Sequence, residues 1–330
     1  MNRPTAPRPL LLPLVPLYRL RLALRERKFR PGSTVVRRLR WPVISIGNLS
    51  TGGSGKTPLT IALAKALTAR GLHIDVLSRG YGRRRSTATP LLVERDGTAG
   101  DFGDEPLEIA RAAGVPVYVA AERYQAGLLA ERTASSGFHL LDDGFQHRQL
   151  ARDINILLLS RADLTDHLLP AGNLREALHA AERANVIAIL ADDPELESEI
   201  KSRGLRAEIW RLDRKMDVPH FDGPVAAFCG IARPEQFFAG LERAGAQLAA
   251  RWGFADHHRY TAAELARIAT SAQRAGAQTL LTTEKDRVRL GALADSLPST
   301  LRLQAVPLRI GIENEQAAID WLVDHVRDPR

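Results

Sequence analysis

The octapeptide Ser50-Thr-Gly-Gly-Ser-Gly-Lys-Thr57 constrains this chain most, because it joins two segments of different periodicity. Before it, Pro42-Val-Ile-Ser-Ile46 is a short β-rich run; after it, Pro58–Arg70 carries Ala and Leu at helical spacing. Gly52, Gly53 and Gly55 let successive backbone N–H groups converge on phosphate oxygens. Lys56 can then reach the β and γ phosphates of a nucleotide, and the Thr57 hydroxyl can ligate Mg²⁺. The pattern usually opens with Gly, and position 50 is Ser. Strand, loop and helix follow in the order the motif needs, so residues 50–57 predict a site for ATP and Mg²⁺: Ser50, Thr51, Gly52, Gly53, Ser54, Gly55, Lys56 and Thr57.

Further strands are expected at His73–Leu77, Val115–Ala120, Phe138–Leu141, Ile154–Leu159 and Val186–Leu190, with helical spacing between several of them. Such alternation predicts an α/β fold of the P-loop NTPase kind, a mostly parallel sheet with helices on both faces and its ligand at the carboxyl ends of the strands. After Ala191 the composition turns polar up to Pro219, and a second alternation begins at Val225–Cys229. It continues with helices over 234–244 and 262–275, strands over 279–283 and 301–306, and a helix over 314–326. At 330 residues two domains are expected. The division expected is a basic arm over 1–41, a nucleotide-binding domain over 42–217 and a smaller α/β domain over 218–330 that closes the active-site cleft.

Charge is distributed unevenly. Residues 1–41 hold eleven Lys/Arg against one acid, Glu26, whereas the remaining 289 residues hold 35 basic and 37 acidic groups. A nucleic-acid enzyme more often spreads its basic groups over the catalytic body, so no nucleic-acid partner is expected. The arm also carries Leu10-Leu-Leu-Pro-Leu-Val-Pro-Leu-Tyr18, nine residues broken by two prolines, where a bilayer span needs roughly 20. An apolar run leading into arginines instead of a small-residue cleavage site does not read as a signal peptide. Two readings stay open: a segment lying in an anionic membrane interface, and a basic amphipathic helix packed on the body with a solvated face. The single cysteine, Cys229, excludes an intrachain disulfide and suits a reducing compartment. On its apolar strand it reads as packing.

Phe138-His-Leu-Leu-Asp-Asp143 brings two carboxylates to the end of a strand, where Asp142 or Asp143 can act on the metal shell. Arg79 in Ser78-Arg-Gly-Tyr-Gly82, the acids of Gly103-Asp-Glu-Pro106 and the histidines of Phe254-Ala-Asp-His-His258 are weak signals singly; each alone reads as a cap or a surface group. His147 and His258 read as structural.

Together these segments are specific. In order, with Asp142-Asp-Gly-Phe-Gln-His147, Leu169-Pro-Ala-Gly-Asn-Leu-Arg-Glu176 and Thr282-Thr-Glu-Lys-Asp286, they closely resemble the tetraacyldisaccharide 4'-kinases, the lipid A 4'-kinases, up to about residue 290. The resemblance implies transfer of the ATP γ-phosphoryl group to the 4'-hydroxyl of an acylated disaccharide 1-phosphate. It also implies a peripheral position on the cytoplasmic face of a Gram-negative inner membrane, with no obligate protein partner. By the same resemblance Asp104 and His257 form an acid–base dyad near the acceptor hydroxyl, which of them takes the proton being open. Lys56 serves the phosphates, Asp142 and Asp143 the metal side, Glu176 is a further metal-side group, and Arg123 and Arg175 meet phosphates. Asp104 and His257 fall on opposite sides of the expected domain boundary, so the dyad requires a cleft between domains. The alternative is a P-loop ATPase switch at the membrane surface, although many of those carry a lysine where Thr51 stands. A soluble sugar or nucleoside kinase leaves the arm without a purpose.

Overall fold

The computed structural model describes residues 8–29, 35–83 and 89–327. Among them the strands are β1 (Val43–Asn48), β2 (Ile74–Ser78), β3 (Leu91–Leu92), β4 (Val117–Val119), β5 (Phe138–Leu141), β6 (Ile154–Leu158) and β7 (Val186–Leu190). They continue with β8 (Glu208–Met216), β9 (Val225–Cys229), β10 (Leu248–Gly253), β11 (Thr279–Thr283), β12 (Arg302–Val306) and β13 (Leu308–Ile312). Two sheets result, one in the order β13-β8-β7-β6-β1-β5-β2-β4-β3 and one in the order β10-β9-β11-β12. The interior of the first is parallel, and only its edge strands β3 and β13 run antiparallel to their neighbours. The second is parallel throughout.

β1 explains why the fold can be read from its apolar runs. All six of its residues are buried, as a central strand with helices on both faces requires. Successive residues of its neighbour β6 point to opposite sides: Ile154, Ile156 and Leu158 join the core under helices Lys56–Ala69, Asp104–Ala113 and Glu315–Arg327. Leu157 joins the opposite core, under the arm helix Val15–Arg27 and helix Pro194–Ser202. Each fully buried Ile or Leu contributes about 1.5–3 kcal/mol, so this strand set anchors the loop that follows β1. The chain leaves β1 toward β2 on one side and reaches β6 on the other, which makes the end of β1 a topological switch point.

Two features depart from the sequence expectation. The second sheet starts at Val225 as expected, but the expected domain 218–330 does not hold together: β13 pairs with β8 in the large sheet, and Ile319 and Leu322 are buried in its core. Pro307 lies between β12 and β13, and its carbonyl accepts the Asp217 N–H at 3.0 Å, so the two crossings between sheets lie side by side. Strands β8, β10 and β13 were not expected. Each alternates buried or half-buried with exposed residues over most of its length, and in β8 only Trp210 and Leu212 are fully buried. The arm, whose residues 1–7 and 30–34 lie outside the described residues, is a 3₁₀ turn at Pro9–Leu14 followed by the helix Val15–Arg27. Val15 is buried, and Tyr18 and Leu22 pack against the core beneath it.

Candidate active site

The loop between β1 and helix Lys56–Ala69 is shaped by its glycines. Gly52 and Gly55 sit at φ +104° and +94°, a region L side chains rarely adopt, and Gly55 is the helix N-cap. Gly47 has a different reason, since a Cβ there would fall 2.5 Å from the Cβ of Phe145. The Pro-Ala-Gly-Asn-Leu-Arg segment braces this loop along the backbone. Thr51 N–H donates to Asn173 O at 2.8 Å, Arg175 N–H donates to Leu49 O at 2.7 Å, and Ser50 bridges Leu174 antiparallel.

Lys56 Nζ donates to Asn48 Oδ1 at 3.2 Å and lies 3.6 Å from Asp143 Oδ1. Arg175 grips the same carboxylate with both terminal nitrogens, at 2.9 and 2.8 Å, and also meets Asn48 Oδ1. Asp142 points the other way, accepting the Thr60 hydroxyl at 3.1 Å. Burial raises both carboxyls of this pair, with opposite outcomes. Burial, then Glu105 and Asp143, push Asp142 up to about 7. In Asp143 the charge of Lys56 and the Arg175 hydrogen bond outweigh burial and hold it well below the usual carboxylate range.

Asp104 opens its helix directly after Gly103, whose φ of +93° and close approach to Tyr81 O exclude a side chain. Its Oδ2 lies 3.0 Å from His257 Nδ1 and accepts from Arg289 Nε at 2.8 Å. Beside it, Lys285 Nζ donates to Glu105 Oε1 at 2.9 Å. Burial favours the protonated acid, but the His257 hydrogen bond and the charges of Lys285 and Arg289 win and keep Asp104 ionised. The His257 side chain is 33% exposed and edge-on to Tyr81, while Asp104 stands 7% exposed behind it. Of the three described non-glycine residues with positive φ, Asp143 and His257 are two, a concentration of backbone strain that marks functional positions.

One cavity of about 1010 Å³ joins these groups. Lys56, Thr57, Asp142, Asp143, Arg123, Arg175 and His257 all line it, drawn from both sheets. Arg123 is buried, donates to Ala121 O at 3.0 Å and is pushed down to about 10 by burial and by Arg79. Its Nε has no partner among the described residues, which leaves a donor for an anion. Glu176 and Asp104 do not themselves line the cavity; the Glu176 carboxylate pairs with Arg183, with Arg25 of the arm at 4.0 Å, and Asp104 stands behind His257. His147, read as structural, also lines the cavity, neutral because burial and then Arg123 push it down to about 3. His258 stacks on Phe254 and Cys229 is buried on β9.

Sequence reasoning missed Asn48, Arg289 and Lys285. Asn48 was visible as a polar residue ending an otherwise apolar strand. Lys285 stood in a recognised segment, and Arg289 lies i+3 from Asp286 on helix Glu284–Leu290, to which it also bonds at 2.9 Å.

The loop suits a polyphosphate and its metal ion. Ser54 Oγ is buried without a partner among the described residues, and nothing lies within 4 Å of a Cβ built on Gly53. The Thr57 hydroxyl and the Asp143 carboxylate, which line the same cavity, are the hard oxygen donors Mg²⁺ takes. Fold and site together define a P-loop enzyme that uses a nucleoside triphosphate.

Comparison with known proteins narrows the class. The family model described as tetraacyldisaccharide-1-P 4'-kinase matches residues 7–327. The tetraacyldisaccharide 4'-kinase of Koribacter versatilis is 41% identical over 94% of this chain and 97% of its own length. That of Geobacter metallireducens is 38% identical over 85% and 88%. The crystal structure of LpxK from Aquifex aeolicus in complex with ATP matches with a TM-score of 0.76 at 31% identity, over 97% of this chain and 99% of that one. The chain belongs to the tetraacyldisaccharide-1-P 4'-kinase family. It is accordingly a phosphotransferase with a hydroxyl acceptor, and the ATPase-switch alternative is not favoured.

Proposed function

We propose that this kinase carries out its family's reaction in one interdomain cleft, transferring the γ-phosphoryl group of ATP to the 4'-hydroxyl of tetraacyldisaccharide 1-phosphate in lipid A biosynthesis. The observation that carries the residue assignment is that Lys56 of the loop and His257 of the smaller sheet's side line the same cavity. Backbone N–H groups of residues 52–57 and Lys56 hold the β and γ phosphates; Arg123 adds a cation on the same side. Mg²⁺, when bound with ATP, neutralises charge at those oxygens, and Thr57 and Asp143 are the residues that would hold it, with Asp142 fixing the helix through Thr60. The acceptor oxygen bonds to the γ phosphorus, the bond from phosphorus to the β–γ bridging oxygen breaks with its electron pair leaving on ADP, and the hydroxyl proton passes to the Asp104–His257 unit. Arg175 orients Asp143 and braces the loop.

ATP supplied alone should be hydrolysed negligibly, and adding the acylated disaccharide 1-phosphate should yield ADP and a product phosphorylated at the 4' position, read by mass. Hydrolysis that runs equally fast without acceptor would refute the kinase assignment.

The enzyme's proposed place is the cytoplasmic face of the inner membrane, held peripherally by the arm. In support, the arm helix has two apolar faces: Val15, Tyr18 and Leu22 meet the body, while Leu17, Leu20 and Leu24 are 65%, 58% and 51% exposed. Arginines flank the exposed face, which suits an anionic interface, and no helix among the described residues is long and apolar enough to cross a membrane. Replacing Leu17, Leu20 and Leu24 by Gln should weaken binding to anionic vesicles without changing ATP affinity. Unchanged vesicle binding at low salt counts against the interfacial arm.

A further inference from the structure

Behind the Asp104–His257 pair lies a fully buried carboxylate that the proposed reaction does not use, Asp286 on the first turn of helix Glu284–Leu290. Its Oδ2 accepts the Gly230 N–H at 3.0 Å and the Thr283 hydroxyl at 2.7 Å. Its Oδ1 accepts the Tyr260 hydroxyl at 3.1 Å and Arg289 Nη1 at 2.9 Å. Burial and then the Asp286 charge push the Tyr260 hydroxyl up, so it stays a donor. A helix cap accounts for the Thr283 contact, because Thr283 is the N-cap and its hydroxyl accepts the Asp286 N–H at 3.0 Å. It does not account for Gly230 and Arg289, and both of these lead to the pair. The Gly230 carbonyl accepts the His257 N–H at 3.2 Å and also Arg289 Nη1. Arg289 turns Nε and Nη2 onto Asp104 Oδ2, at 2.8 and 2.6 Å, and its Nη2 lies 3.2 Å from His257 Nδ1. A Cβ built on Gly230 would fall 3.0 Å from His258 Cβ and from the Tyr260 hydroxyl, so the histidine loop packs directly on this peptide.

We propose that Asp286 is a positioning residue for phosphoryl transfer: by fixing the Gly230 peptide and the Arg289 guanidinium it sets where His257 stands relative to Asp104. The inference rests on the Asp104–His257 unit taking the acceptor proton, as proposed above. Two links carry it. The first is the backbone of His257, whose φ of +58° is unfavourable for a residue with a side chain and persists only where its neighbours over-determine it. Its N–H is held by Gly230 O and by Asp256 Oδ1 at 3.0 Å, and the Gly230 peptide is in turn held from its own N–H by Asp286. The second link is the plane of Arg289. A guanidinium is a rigid fork, so once Nη1 is fixed on Asp286 and on Gly230 O, the opposite edge must face Asp104 and His257. Asp256 lies 3.7 Å from Arg289 and is partly exposed, so it cannot supply the same constraint. A buried ion pair contributes little net stability compared with apolar residues of the same size. What this one supplies is direction, at a distance from the reacting atoms.

The test is a double-mutant cycle on kcat in the full-length enzyme. Asp286→Asn keeps the shape and one acceptor oxygen but removes the charge. It should lower kcat about 10–100-fold, the usual cost of losing a group that orients a working side chain, with KM for ATP within about twofold of wild type. Ile268→Val trims the core of the smaller sheet away from this network and serves as the stability control; its Tm should fall while kcat stays within about twofold. Coupling decides the matter. In a His257→Ala background Asp286→Asn should cost less than about threefold more, because a residue that acts through His257 has nothing left to orient. A loss in that background as large as in wild type overturns the positioning role while the acid–base unit stands. So does Asp286→Asn enzyme with wild-type kcat. Should Asp286→Asn fail to fold, Arg289→Lys takes its place, since it keeps the cation but cannot hold Asp286 and Asp104 at once. The same loss is expected, again absent behind His257→Ala, and full activity of Arg289→Lys overturns the proposal. His257→Ala enzyme with wild-type kcat sinks the acid–base unit itself, and the positioning role with it.

Discussion

The phosphate loop and the Asp104–His257 pair, the latter through His257, face one cavity and are built in opposite ways. The loop is eight consecutive residues whose shape follows from three glycines and a helix start, and its backbone donors converge whatever the rest of the chain does. The pair joins Asp104, at the first turn of a helix on the large sheet, to His257, in a loop after β10 of the small one. Nothing local brings them together. They meet because the chain crosses between sheets twice, and Arg289 and Lys285 meet Asp104 and Glu105 at the contact. A local motif therefore tolerates change in the other domain, whereas the pair depends on both domains and on the cations between them.

Removing the loop's cation should have the largest effect. Lys56→Ala should lower kcat on the order of 10³–10⁵-fold, the range of a cation that stabilises a transferring phosphoryl group, with thermal melting unchanged. Turnover within tenfold of wild type would break the comparison at its local end. Next, Asp104→Ala and His257→Ala should each cost about 10²–10⁴-fold in kcat while KM for ATP holds. The double variant should lose little more than the worse single one, and losses that multiply would show two independent groups.

Arg289→Met sharpens the tertiary side, with an expected loss of about 10–100-fold in kcat/KM from a neighbouring charge removed. Together with the His257 hydrogen bond and Lys285, Arg289 holds Asp104 down, so its removal should move the acidic limb of the pH–rate profile to higher pH. An unmoved limb would mean that the cation only packs the interface. The smallest effect concerns stability. Asp142 has its folded value raised to about 7, so the folded state binds the extra proton between roughly pH 4 and 7, and wild-type stability declines as pH rises through that window. Asp142→Asn cannot ionise. Urea titrations should show its stability relative to wild type rising over that window and level above it, while its activity falls. A pH-independent difference would remove the neutral form of Asp142 from the account.

The loop, the parallel sheet around β1 and the order of elements through β7 were legible because a fully covered strand must be apolar throughout and a phosphate loop must be glycine-rich. β8, β10 and β13 were not, because their partly exposed residues carry polar side chains and the remaining signal is short. The candidate site divides along the same line. Lys56, Asp142 and Asp143 could be placed from strand ends, and Asp104 with His257 only through resemblance. Glu176 is one residue from Arg175 in sequence, yet the strand-like run of 173–175 along the loop sends the two side chains in different directions, one to Arg183 and the other to Asp143.

By itself the sequence determined the nucleotide loop, the class of sheet behind it and the basic apolar arm, since these depend on periodicity and on residues adjacent along the chain. Tertiary structure decided that β13 and the last helix return to the large sheet, that Arg175 clamps Asp143, that His257, Lys285 and Arg289 keep Asp104 ionised and that Phe29 of the arm meets Arg148. The physical reason is range. Backbone shape is set within a few residues, whereas charge balance in a cleft is set by whatever the folded chain carries within a few ångströms, however distant in sequence.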